Sequence, residues 1–318
     1  MKSSFSVENK YIWDHWFLEE DKGYYKYFLQ APDGFTPDER HDHASVGCAF
    51  SKDLNKWNYL GTVFKANPEN WCNTSIWTGS IVKHKNEYHL FFTSRDNKEK
   101  SIQKIGLVIS QDPLFKNYRL CCKNKPLISV EEKYYETPSP DGMTHWRDPF
   151  IYEEKGYFYM LICARKNKGP LNGRGTVGLA TSKDLFNWEI EPPLDIPEWF
   201  GQCECPYIYK KNGLYYLHFC THEFSKKYSL DNNKRPIKGD YYLVSKKIRG
   251  PYEATSKGPA LFDDEKERIA YNSKIIDKDG SIYALFWAKE SYDDVKKFTH
   301  ISPVELSYLF DGSISTDI

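Results

Sequence analysis

One four-part segment recurs five times along the chain, and that repetition limits the possible fold more than any other feature. Each copy holds a first strand, a polar turn, an aromatic-rich second strand, a third strand ending in Ser-Lys-Asp or a variant, and a short fourth strand. The clearest copy starts at Arg147: RDPFIY, the turn EEKG, YFYMLICAR, then TVGLATSKDLFNWEI. The first reads IWDHWFL, EEDKG, YYKYFLQAP and ASVGCAFSKDLNKWNYLG. The second is WTGSIVKHKNEYHLFFTSR with KIGLVISQDPLFKNYRL, and the fourth ECPYIYKKNGLYYLHFCTH with DYYLVSKKIRGPYEA. The fifth is AYNSKIIDKDGSIYALFWAKE with a weaker THISPVELSYLF. Asp14, Gly79, Asp148, Glu204 and Asn272 align as equivalent positions.

Four short strands per copy, without helical periodicity between copies, are the requirement for a propeller blade. The expected fold is all-β: a five-bladed β-propeller with four antiparallel strands per blade, forming a single domain over residues 1–318. A β-sandwich also uses many short strands, but it does not readily yield five copies with one internal order. The Ser-Lys-Asp segments predict polar turns, with Trp57 and Trp188 in blade packing. Pro138–Pro140, Pro192–Pro193 and Ser225–Gly239 read as long loops.

In a propeller the first strand of each blade lines the central channel. Three first strands begin with an acid: Asp14 in IWDHWF, Asp148 in HWRDPF and Glu204 in QCECPY. The ring then gathers residues distant in sequence around one funnel. Glycoside cleavage needs such a grouping, with one carboxylate attacking or activating water and another protonating the leaving oxygen. A lone strand-end acid is ordinarily solvated or paired with arginine. Three beside Trp, Pro or Cys are costly unless something needs them there.

Composition narrows the choice further. Lysine plus arginine and aspartate plus glutamate number 44 each, which argues against nucleic-acid or membrane-surface partners. The 16% aromatic content suits pleated half-buried faces and also the C–H faces of sugars. Residues 1–10 are polar, and apolar runs such as Tyr157–Cys163 are strand-sized. A cytoplasmic location is therefore expected, with the eight cysteines as reduced thiols. Cys203 and Cys205 bracket Glu204 and Cys121–Cys122 are adjacent, so neither pair has zinc-site spacing. No metal site is expected.

The acid trio and its motifs resemble the invertase and levansucrase superfamily, glycoside hydrolase families 32 and 68. IWDHWF resembles the levansucrase Trp-Asp-x-Trp segment, and WTGS at Trp77–Ser80 the Trp/Phe-Ser-Gly-Ser segment of both families. WRDPF contains their Arg-Asp-Pro element, and ECP at Glu204–Pro206 the invertase Glu-Cys-Pro element. The resemblance implies a five-bladed propeller and retaining chemistry on a fructofuranoside-like substrate. Asp14 would be the nucleophile, Asp148 the transition-state stabiliser and Glu204 the acid/base, its pKa above that of Asp14. Arg147 would orient Asp148, and Trp13, Trp16, Gln30, His43, Trp77 and Ser80 would contact sugar. The resemblance implies no cofactor and a small oligosaccharide or glycoside as partner.

The chain departs from these families in places. His15–Trp16 follow Asp14 where invertases have Asn-Asp-Pro-Asn-Gly, and the invertase carboxy-terminal β-sandwich is not expected here. Two rival readings stay open at this level. One is an inverting arabinofuranosidase or xylosidase of the family 43 type, separable by the product anomer. The other is a sugar-binding propeller without turnover. The sequence leaves the exact sugar, hydrolysis against transfer, and the oligomeric state open.

Overall fold

The computed structural model describes residues 3–36, 38–262, 269–289 and 299–316. The strands form five antiparallel sheets, the blades of a propeller. Blade I runs outward through Lys10–Glu20, Gly23–Pro32, Ser45–Ser51 and Asn58–Phe64. Blade II uses Ile76–His84, Glu87–Asp96, Glu99–Ser110 and Tyr118–Leu120. Blade III uses Trp146–Glu154, Tyr157–Arg165, Gly175–Ser182 and Glu189–Glu191. Second strands are buried along nearly their whole length because neighbouring blades cover both their faces. In Glu87–Asp96, eight residues in a row are buried.

Blade IV has three regular strands: Glu204–Lys211, Leu214–Thr221 and Gly239–Ser245. Isolated bridges Val244–Glu253 and Tyr241–Ala260 carry its outer edge. The stretch 225–239, expected to be a loop, contains a short helix, Lys226–Asn232. Its Tyr228 ring is buried against Trp199 and Phe200.

Blade V closes the ring. Its second strand, Ser281–Lys289, pairs with Ile269–Lys278 on the inside and with both Thr299–Ile301 and Val304–Tyr308 on the outside. Ser3–Phe5 then pairs with Thr299–Ile301, and Ile314–Thr316 with Val304–Tyr308. The first and last described strands thus share one sheet, which ties the ring through hydrogen bonds.

The Ser-Lys-Asp turns are side-chain-capped, as short polar residues favour. Asp53 Oδ1 accepts from the Asn55 and Lys56 amides, and Asp184 Oδ1 from those of Phe186 and Asn187. Trp57 and Trp188 donate to the Leu54 and Leu185 carbonyls, each at 2.9 Å.

Every inner strand breaks its pairing at the same place. Asp14, Thr78, Asp148, Cys205 and Asn272 each follow the last regular pair and sit in a bulge. A bulge turns a side chain out of the pleat and re-aims it, here towards the propeller axis. Three of these residues have left-handed backbone: Asp148 at φ 59°, Cys205 at 50° and Asn272 at 56°. That conformation costs about 1–2 kcal/mol for a residue with a Cβ and clusters at functional sites. The bulges correct the sequence alignment. Thr78, not Gly79, matches Asp14, and Glu204 lies one position earlier, level with Arg147 and Tyr271. Gly79 is needed for close approach, since a Cβ there would lie 1.9 Å from the Phe91 carbonyl oxygen.

Candidate active site

The bulges surround a cavity of about 910 Å³ whose wall includes Asp14, Asp148 and Glu204. Asp14 is held by neutral donors: the Thr78 hydroxyl at 2.5 Å on Oδ2 and the Trp287 indole N–H at 3.0 Å on Oδ1. Burial and the nearby Glu204 push its carboxyl up; the two hydrogen bonds and Lys274 pull it down, and the balance is upward. Asp148 lies deeper. Its amide donates to Thr93 Oγ1 at 2.8 Å, and its Oδ2 accepts from the Cys205 amide at 3.0 Å. Burial lifts the Asp148 carboxyl to about 7 against the pull of Arg147.

Glu204 differs because it leaves the strand one residue before the bulge. Its Oε1 accepts from Arg147 Nη2 at 2.7 Å, and its Oε2 accepts from the Tyr271 hydroxyl with His222 Nδ1 3.5 Å away. Burial raises its carboxyl, but His222, Arg147 and Tyr271 together outweigh burial and hold it well below the usual range. The expected order, Glu204 above Asp14, is therefore reversed. The physical reason is that Glu204 faces cationic donors whereas Asp14 faces only neutral ones.

Arg147 serves Glu204 more closely than Asp148, whose Oδ2 is 3.6 Å from Nε. Its other guanidinium nitrogen, Nη1, donates to Gln103 Oε1 at 3.2 Å and to His145 Nδ1 at 2.8 Å. His145 Nε2 in turn lies 3.0 Å from Asp141 Oδ2. Burial and Arg147 push His145 down to about 4, leaving the ring neutral and able to accept at Nδ1.

Of the residues expected to touch sugar, Trp13, Trp77 and Arg147 line the cavity and Trp16, Gln30, His43 and Ser80 do not. Trp16 stacks on Tyr27 inside blade packing. Gln30 is fully buried, bonded to Thr62 Oγ1 at 2.6 Å and to the Tyr59 hydroxyl at 2.8 Å. Both follow from strand alternation, which turns them into the blade. Ser80 is buried beyond the blade II bulge. The short 3-10 turn Glu39–His43 sends His43 outward onto Phe35 and His41 inward between Trp13 and Trp77. Thr78, His145, His222, Tyr271 and Trp287 were missed. Tyr271 was within reach of the repeats, because it aligns with Glu204 once the bulges set the register. Among the described residues, no group of three or more His, Cys, Asp or Glu side chains is placed to hold a metal ion.

A five-bladed propeller with two aspartates and a glutamate around one funnel is the arrangement of a glycoside hydrolase, and the relatives of the chain make it one of the fructofuranosidase type. The chain belongs to the glycosyl hydrolases family 32 group, whose N-terminal domain profile matches residues 5–302. It is 25% identical over 293 residues to an extracellular sucrase of Zymomonas mobilis, covering 77% of this chain and 69% of that protein. It is 26% identical over 247 residues to a levansucrase of Rahnella aquatilis, covering 67% of this chain and 57% of that protein. In fold it resembles an inulosucrase from Halalkalicoccus jeotgali bound to kestose, with a TM-score of 0.79 at 20% identity. That match covers 98% of this chain and 87% of the other.

Proposed function

We propose that this protein cleaves a fructofuranoside with retention, passing the fructosyl group to water or to a sugar hydroxyl. The observation that carries the reading is the unequal setting of the two carboxylates. Asp14 has neutral donors and a free approach from the cavity, as a nucleophile requires. Glu204 sits among a guanidinium and a phenol that hold it by hydrogen bonds and an imidazole, His222, that can pass a proton to it. Asp14 attacks the anomeric carbon and a glycosyl-enzyme ester forms as the leaving oxygen departs. The proton for that oxygen comes through Glu204. His222, whose pKa is raised by its contact with Glu204, keeps a proton within reach. A bound sugar that takes over the Arg147 and Tyr271 hydrogen bonds lifts Glu204 towards a general acid. Asp148 accepts hydrogen bonds from sugar hydroxyls, more strongly as the ring becomes an oxocarbenium ion.

Sucrose and short fructans are the substrates we favour, in keeping with the names of the relatives. The family match disfavours the inverting family 43 reading. A reducing compartment is the location we propose, because all eight cysteines are free thiols. Cell fractionation that finds the protein outside the cytoplasm would reject it. The test of function is release of fructose from sucrose, sucrose phosphate, kestose, fructans and aryl fructofuranosides. Asp14→Asn and Glu204→Gln should each lower kcat by about 10³-fold or more. With methanol as acceptor, the methyl fructoside should keep the substrate anomer. Wild-type activity in both variants, or an inverted product, rejects the assignment.

A further inference from the structure

Two residues beyond the bulged position, each inner strand is again regularly paired, and the equivalent residues there are Trp16, Ser80, Phe150, Tyr207 and Lys274. Lys274 alone carries an aliphatic ammonium there, and it is 8% exposed. Burying an ammonium costs far more than burying an apolar chain of the same length, so packing does not account for it. Its hydrogen-bond partners among the described residues are neutral: the Cys205 carbonyl at 3.4 Å and the Asn272 side-chain oxygen. The nitrogen also lies 4.4 Å from the centre of the Tyr207 ring.

Both partners belong to bulges beside the acids. The Cys205 amide holds Asp148 Oδ2 at 3.0 Å, and Cys205 Sγ lies 3.6 Å from Asp14 Oδ2. The Asn272 amide nitrogen Nδ2 donates to the carbonyl of His15, the residue after Asp14, at 3.4 Å. We propose that Lys274 is a positioning residue of the catalytic centre: its buried ammonium ties the Cys205 and Asn272 bulges, which brace Asp148 and the strand of Asp14, and sets a positive charge behind Asp14.

Arg147 cannot do this for Asp14, since its fork is committed to Glu204, His145, Gln103 and Gln202. Arg40 reaches Asp14 electrostatically from the mouth of the cavity, where it lies over Trp13. Around Lys274, His15 is pushed down by burial, then by Lys26 and Lys274, and His218 by burial and then by Lys274, so both rings are neutral. Burial pushes the Cys220 thiol up to about 12. Asp240 is the remaining acid that senses Lys274, and Ser273 occupies its carboxylate. Removing the lysine charge therefore acts on Asp14 and Asp240, of which only Asp14 faces the cavity.

The inference rests on Asp14 as nucleophile, and the test is the pH dependence of kcat/KM for the fructoside that the wild type cleaves. Lys274→Met removes the charge and every donor; Lys274→Gln removes the charge and retains a neutral N–H donor. Both should move the acid limb up by about one pH unit, so that activity below the limb falls about tenfold and the loss shrinks above it. Asp240→Asn should leave the limb in place. If Lys274→Met does not fold, Lys274→Gln decides alone. A limb unmoved in the folded variants, with loss equal at every pH, overturns the proposal. Failure of the underlying reading looks different, because Asp14→Asn would then stay active.

Discussion

Asp148 shows what the site demands of a single residue. It has left-handed backbone, a buried carboxyl raised to about 7, and an amide that donates to Thr93. In the unfolded chain that carboxyl titrates near 4. Between the two values the folded protein binds more protons, so stability present below about pH 4 is lost as pH rises through about 7. Asp148→Asn removes the ionisation while still able to accept from the Cys205 amide. It should be more stable than wild type at pH 8 by roughly 1–4 kcal/mol, with the gap closing near pH 4. Urea unfolding at both pH values measures it, and an equal gap at both would contradict the argument. His145 makes a related point. Its neutral ring fixes the Arg147 fork, which its place in MTHWRDPF gives no means to foresee.

At the scale of elements, two short devices recur and do different work. Around the outside, a Ser-x-Asp turn ends the third strand of blades I, II and III, each followed by a left-handed apolar residue: Leu54, Phe115 and Leu185. Asp184 is the best bonded, accepting from the Phe186 and Asn187 amides, the Asn187 side chain and the Ser182 hydroxyl. Asp184→Ala should cost about 1 kcal/mol of stability and leave kcat unchanged, because the turn lies away from the funnel. Thermal melts beside an activity assay test both halves of that statement. Around the inside, the bulges link one blade to the next. The Thr93 hydroxyl bridges the Thr78 carbonyl and the Asp148 amide, Cys220 Sγ accepts from the Asn272 amide, and Trp287 reaches Asp14. Each of these side chains leaves a second strand and supports the bulge of the following blade.

For the whole molecule, closure of the ring joins Ser3–Phe5 to the sheet of the last blade. Phe5 packs edge-on against Phe28 at 5.4 Å, while its strand pairs with Thr299–Ile301. Phe5→Ala should therefore destabilise by about 3–5 kcal/mol, with amides of the closing strand losing protection first in hydrogen exchange. Loss of protection spread evenly over all five blades would show that closure is not a separate unit. The closing strands also bear on catalysis, since blade V supplies Tyr271 and Trp287 to the cavity and Lys274 behind it.

Five blades, their strand order and the acid trio were legible in the chain, because repetition and strand-sized apolar runs are properties of sequence. Register within the inner strands was not. A bulge adds one residue without a compositional mark, so Gly79 and Glu204 aligned with Asp14 although Thr78 and Cys205 hold that position. The same blindness assigned Gln30, Trp16, Ser80 and His43 to the sugar, since pleat direction and a 3-10 turn decide which face a side chain takes. The sequence by itself determined the propeller and the carboxylates that belong to it. Only the tertiary structure decided how each carboxylate is charged. That depends on what the ring brings within hydrogen-bond reach: neutral Thr78 and Trp287 at Asp14, and Arg147, His222 and Tyr271 at Glu204.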